Sequence, residues 1–153
     1  MNPILRSSFF AARIALLRYG WFPVAVFLVH EFCSHVLDAY VRWPAVDVPL
    51  HFLGGLSIAY FLAGSLRSFA GRDLVRMPDP ILRWFFVLAL ACTTAVFWEF
   101  AEWTSDRFFG TNCQMNDLGD TLSDLLMGLF GALFFLIPQL PSAMRSYFNP
   151  SPD

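Results

Sequence analysis

Four stretches of mostly apolar residues constrain this chain more than anything else in it. They cover about 21–40, 49–66, 81–103 and 120–137. A helix needs about 20 such residues to cross the hydrocarbon core of a bilayer. Prolines bound the stretches: Pro23, Pro44, Pro49, Pro78, Pro80 and Pro138 fall at or near their ends, where proline suits a helix start or stop. Trp21, Trp43, Trp84 and Trp103 also fall near the ends, as interfacial aromatics do. Charged residues make up 14% of the 153, against roughly 25% in an average soluble domain. Mean hydropathy is +0.54. These features predict an all-α, polytopic membrane bundle of four transmembrane helices in one integral membrane domain over 1–153. The net charge of −2 and the lack of a basic stripe argue against nucleic-acid binding.

Residues 3–18 carry Arg6, Arg13 and Arg18 among apolar side chains, with no small-x-small cleavage site after them. This excludes an ordinary signal peptide. It predicts an N-terminal amphipathic helix that lies in the interface or leads into the first span. The tail after Pro141 reads as disordered. Cys33, Cys92 and Cys113 share no metal-ligand spacing and read as free thiols. With four spans, Arg6, Arg13, Arg18, Arg67, Arg72, Arg76, Arg83 and Arg145 share one side, and Arg42 and Arg107 the other. The positive-inside rule then places both termini in the cytoplasm of a bacterial inner membrane. Gly55, Ala59 and Ala63 form a stripe of small residues on the second span, and Gly128 and Gly131–Ala132 thin one face of the fourth. Such stripes mark close helix packing.

The polar residues inside the spans point to chemistry. Glu31, His35 and Asp38 stand at i, i+4 and i+7 on span one; Asp47 and His51 open span two; Glu99 and Glu102 close span three; Asp117, Asp120 and Asp124 open span four. Residues three or four apart share a helix face. Alternating topology brings these ends to the same, periplasmic face. Asp38, Asp47, Glu99, Glu102, Asp106, Asp117, Asp120 and Asp124 then confront only Arg42 and Arg107. An ionised carboxylate deep in a span costs about 2.5–3.5 kcal/mol on insertion scales. A divalent cation neutralises two such charges and gives them a partner. His51, Glu99, Asp120 and Asp124 are the predicted ligands. Glu102 is predicted as base or further ligand, and Asp47 as the residue that orients His51. Imidazole with carboxylates and no thiolate suits Zn²⁺, Mn²⁺ or Fe²⁺ better than Mg²⁺, in one site or two. Asp117 and Asp120 also read as caps of span four. His30-Glu31-Phe32-Cys33-Ser34-His35 is not the zinc-protease H-E-x-x-H, because its histidines are one residue too far apart.

Three segments carry a family resemblance. They are Asp47-x-x-x-His51-Phe52, Glu99-x-x-Glu102-Trp103 and Asp120-Thr121-x-x-Asp124, with Gly131-Ala132 after them. In this order they resemble the YjdF-type inner-membrane proteins, a domain of unknown function, and more distantly VanZ-like membrane proteins. The resemblance covers about residues 25–137 and implies an integral inner-membrane protein without a settled reaction. Family members are usually longer, with further spans before the first one here, and the Glu31/His35 face has no counterpart in their pattern.

The expectation is therefore a small metal-binding membrane protein, acting as a metal-dependent hydrolase of a lipid or lipid-linked substrate. Two alternatives use the same acids: an ion or metal transporter, and an accessory subunit that pairs them with a membrane partner's cations. Transport needs polar groups on both sides of the midplane. Leu56–Leu62 and Leu88–Val96 offer only Ser57, Tyr60, Thr93 and Thr94 there, which favours a site over a pathway.

Overall fold

The computed structural model describes residues 2–76, 79–111, 113–114 and 117–140. Arg145 and the tail after Pro141 lie outside them. The described residues form an all-helical bundle: α1 (Pro3–Tyr19), α2 (Trp21–His35), α3 (Ala39–Arg42), α4 (Asp47–Ala70), α5 (Pro80–Phe109) and α6 (Leu118–Leu136). Short 3-10 turns follow α3 and α6. Helices α4, α5 and α6 are each long and apolar enough to cross a membrane.

The first span differs from the expected 21–40. Helix α2 ends at His35 and holds 15 residues, about 22 Å of helix, short of a bilayer core of about 30 Å. Asp38 adopts a left-handed backbone (φ 48°), which a continuing helix excludes. Helices α1 and α2 meet at a bend of 53° and together meet the requirement for a span. The N-terminal helix is also part of the bundle. Ala11 and Ala15 are buried, and the Tyr19 ring lies against Gly64 of α4 so closely that a Cβ there would stand 2.3 Å from it.

Helix α5 runs two turns past the predicted end near Trp103, because no breaker intervenes before Gly110. That residue caps the helix with φ 68°, a conformation glycine adopts without strain. Pro80 in the first turn and the Asp79 carboxylate, accepting from the backbone N–H of Ile81 and Leu82, set its start.

Helix α4 is the hub and packs on all the other long helices. Its closest partner is α6. A Cβ on Gly55 would fall 1.9 Å from the Gly128 oxygen, and one on Gly131 the same distance from the Phe52 oxygen. The small-residue stripes thus bring two backbones into contact. Ala59, Ala63, Val87, Ala91, Ala132 and Leu136 continue this seam as the buried core. Large apolar side chains such as Phe97, Phe100 and Phe134 point outward, the arrangement a lipid solvent permits. Thr93 and Thr94 donate their hydroxyls to Ala89 and Leu90 oxygens one turn back, so these polar breaks are satisfied within α5.

The two ends of the bundle differ in charge. At one, Arg67 donates to the Gln139 side chain and the Trp84 indole to the Leu136 oxygen. These contacts join the end of α4, the start of α5 and the end of α6. At the other, the start of α4, the end of α5 and the start of α6 meet around His51.

Candidate metal centre

His51 sits one turn into α4, four residues after Asp47, so both side chains leave the helix on the same face. Its Nε2 lies 3.2 Å from Asp47 Oδ1 and 3.8 Å from Asp124 Oδ2 of α6. On the other side of the ring, Nδ1 lies 3.8 Å from Glu99 Oε1 of α5. Three carboxylates, one from each of three helices, therefore converge on one imidazole. Asp47, Glu99, Glu102 and Asp124 are all buried. Two triplets bring one ligand atom each within 4.8 Å of the others: Asp47–His51–Asp124 and His51–Glu99–Glu102.

The cluster leaves buried oxygens unpartnered. Asp47 Oδ1 is enclosed, and although His51 Nε2 is near it, the alignment is not that of a hydrogen bond. Asp120 Oδ2, one turn before Asp124, is likewise enclosed without a partner. Buried polar atoms are nearly always satisfied. Two of the three such side-chain oxygens among the described residues sit at the charge cluster; the third is Ser65 Oγ of α4.

The remaining carboxylates are held by their surroundings. Glu102 Oε1 accepts from the Trp98 indole N–H at 2.7 Å, one turn back on α5. Glu99 is reached from the α5–α6 loop, where Gln114 Nε2 donates to both its backbone oxygen and its Oε2. The loop thus folds back over the bundle, as expected. Asp106 fixes that loop by accepting from the Cys113 and Gln114 backbone N–H groups and the Thr111 hydroxyl. Asp117 accepts from Gly119 N as the cap of α6, the plainer of its two expected roles.

The eight acids counted from the sequence thus divide. Asp38, Asp106 and Asp117 have local partners: Asp38 lies 3.8 Å from Arg42, and the other two accept backbone hydrogen bonds. Asp47, Glu99, Glu102, Asp120 and Asp124 turn inward. The expected Glu31/His35/Asp38 face does not form. Glu31 and His35 remain neighbours at 3.4 Å, but the helix stops before Asp38 and turns it away. Of the predicted ligands, His51, Glu99 and Asp124 come together. Asp120 lies beside Asp124 but outside both triplets. Asp47 and Glu102 each join one triplet.

Three supporting residues escaped the sequence reading: Trp98, Gln114 and Tyr40. The Trp98–Glu102 spacing of four was a usable signal, whereas Gln114 and Tyr40 reach their partners only through the tertiary fold. The Tyr40 hydroxyl and His30 Nδ1 are 2.6 Å apart. Both lie on a polar cavity of about 190 Å³ that also touches Ser34, Asp38 and Glu102. Burial pushes the Tyr40 hydroxyl and the Cys113 thiol on the same wall above their ordinary pKa values, so both stay protonated near neutral pH.

Replacing Trp98 by phenylalanine removes the only hydrogen bond shown for Glu102 among the described residues. An intramolecular hydrogen bond contributes about 0.5–1.5 kcal/mol. The variant is expected to melt lower in detergent by a comparable amount. Trp103→Phe, at an exposed position, is expected to leave the melting temperature unchanged.

With this geometry in place, similarity to known proteins decides the family. Residues 2–140 match the family described as "Predicted membrane protein (DUF2238)". The chain belongs to the DUF2238 family. The YjdF-type proteins it resembles are that family. An uncharacterised protein of Thermotoga maritima is 32% identical over 107 residues, which cover 70% of this chain and 53% of the relative. This DUF2238 chain thus spans about half the length of that curated relative. No solved structure matches.

Proposed function

We propose that this protein is a membrane metalloprotein holding one divalent cation at the His51 cluster, and that it acts as a hydrolase on a lipid or lipid-linked substrate. The observation that carries the metal reading is the buried Asp47 Oδ1, which accepts no hydrogen bond although it lies 3.2 Å from His51 Nε2. Two bonds of about 2.1 Å from one ion, at tetrahedral to octahedral angles, separate their donor atoms by about 3.0–3.4 Å. The pair is spaced as ligands are, and Asp124 completes the triplet. This reading makes Asp47 a ligand as well as a neighbour of His51.

A neutral imidazole offers one lone pair. If Nε2 binds the cation, Nδ1 carries the proton and directs it at Glu99 Oε1, the usual way a ligating histidine is oriented. One ion is therefore preferred over two. Oxygen and imidazole donors suit Zn²⁺, Mn²⁺ or Fe²⁺ ahead of Mg²⁺. When bound, such a cation supplies Lewis-acid polarisation of a carbonyl or phosphoryl oxygen. Glu102, with Oε1 held by Trp98, keeps Oε2 to accept a proton from an attacking water. It also lines the polar cavity, which gives water a place beside the cluster.

At the opposite end, Arg67, Arg72, Arg76 and Arg83, around the end of α4 and the start of α5, support a cytoplasmic position for that end and a periplasmic one for the acids in a bacterial inner membrane.

Protein purified in detergent is expected to carry about one divalent ion per chain by metal mass spectrometry, the stoichiometry one triplet allows. The Glu99→Gln/Asp124→Asn variant is expected to lose it. Trace metal that is equal in the two proteins would remove the proposal.

A further inference from the structure

A second cavity, of about 140 Å³, begins at His51 and runs away from the acids into the apolar interior. Its walls come from α2 (Val26, Phe27), α4 (Gly54, Ile58) and α5 (Thr94, Trp98). From His51 to Ile58 is seven residues, about 10 Å along α4. About 140 Å³ spread over that length leaves a mean cross-section of about 14 Å², so the cavity is slender. It is apolar apart from His30, His51, Ser57 and Thr94, and the Ser57 and Thr94 hydroxyls are already engaged with backbone oxygens. Phe27 and Thr94 line it while exposed to the outside of the bundle. Between α2 and α5, Trp98 meets Phe27 and His30 edge-on. The cavity thus communicates with the region that lipid fills, beside Trp98.

Gly54 is the informative wall residue. Gly55 and Gly131 are needed because a Cβ would strike a facing backbone, but a Cβ on Gly54 would meet nothing within 4 Å. A glycine inside a helix is destabilising relative to alanine. Helix packing gives no reason for this one. Its effect is to keep the cavity open next to His51.

We infer that this cavity receives the segment of an unbranched acyl chain next to the polar part of a membrane lipid, with that polar part held toward His51 and the rest of the chain passing out between α2 and α5 into the bilayer. The inference rests on the reading of the His51 cluster as the reacting centre, and names the substrate class as an acyl lipid. A cavity with mostly apolar walls favours an apolar guest over water. A slender one reached from the bilayer fits a hydrocarbon chain, and a polar end at His51 fits an amphiphile. Branching methyls make a polyprenyl chain the poorer match.

The test uses the full chain in phosphatidylcholine nanodiscs doped with a phosphatidylglycerol whose acyl chain carries a photoreactive diazirine. Crosslinks are mapped by peptide mass spectrometry. Adducts are expected on Val26, Phe27, Ile58 and Thr94 in excess of those on the outward-facing Phe130 and Phe134. In Gly54→Leu they are expected to fall by about tenfold or more, with metal content unchanged. Gly54→Ala adds one methyl into open space, so it folds, and is expected to reduce them partially. Labelling that is even over the exterior, or unchanged in both variants, overturns the inference. Labelling of the cavity by a diazirine polyprenyl phosphate and not by the acyl probe overturns the acyl assignment. Cavity labelling that persists in Glu99→Gln/Asp124→Asn supports it even if the wild type holds no ion, which separates its failure from that of the metal reading.

Discussion

Gly55→Ala and Gly131→Ala are each expected to melt well below the wild type in detergent, and the corresponding leucine variants are expected not to accumulate as folded protein. In each case the new Cβ would stand 1.9 Å from a backbone oxygen of the facing helix. No rotamer change relieves such a contact. The axes of α4 and α6 have to separate, and contacts are lost along the whole seam, because helix association in lipid depends on close packing. Overpacking costs about 1–3 kcal/mol. At 2–4 °C for each kcal/mol in a chain of this size, a drop of roughly 2–12 °C is expected. Gly54→Ala is the internal control. It lies on the same helix but meets no atom within 4 Å, and alanine is favoured over glycine in a helix by about 1 kcal/mol. Its melting temperature is expected to hold or rise. If all three alanine variants melted together, close α4–α6 contact would not be what holds the bundle.

His51→Leu is expected to abolish metal binding and to destabilise the protein by about 3–5 kcal/mol, the cost of removing one partner from a buried charged group. Among the described residues, His51 is the only basic side chain paired with Asp47, Glu99 and Asp124. Without it the carboxylates face one another with reduced solvation. Neutralising two of them in the same protein, as His51→Leu/Asp47→Asn/Glu99→Gln, is expected to restore much of the lost stability while leaving the metal absent. The two readouts are thermal melting and metal content, measured on the same preparations. Independent, additive effects of the three substitutions would show that these groups do not act as one cluster.

Much of this was legible from residue order. The three long helices follow from apolar length and from proline and glycine punctuation, and the tight seam from Gly55, Ala59, Gly128 and Gly131. That Asp47, His51, Glu99 and Asp124 lie at one end of the bundle follows from alternating direction, since helices that reverse at each loop return odd and even ends to the same face. Hydropathy alone misplaces helix ends where local backbone preference opposes it. Residues 36–40 are apolar enough to continue α2, yet the left-handed Asp38 ends it. Residues 104–109 look polar enough for a loop, yet nothing in them breaks a helix before Gly110.

Composition and periodicity determined that the chain is a helical membrane bundle with its acids at one end and its arginines at the other, because burying backbone in lipid leaves few options and charge shows directly in the residues. Only the tertiary structure decided which acids share His51, that Asp47 Oδ1 is left without a hydrogen-bond partner, that Gln114 and Trp98 brace the glutamates, and that an apolar cavity lies beneath the histidine. Those facts depend on the rotation of each helix about its own axis and on the separation between axes. Packing of side chains across helices sets both, and no single segment encodes them.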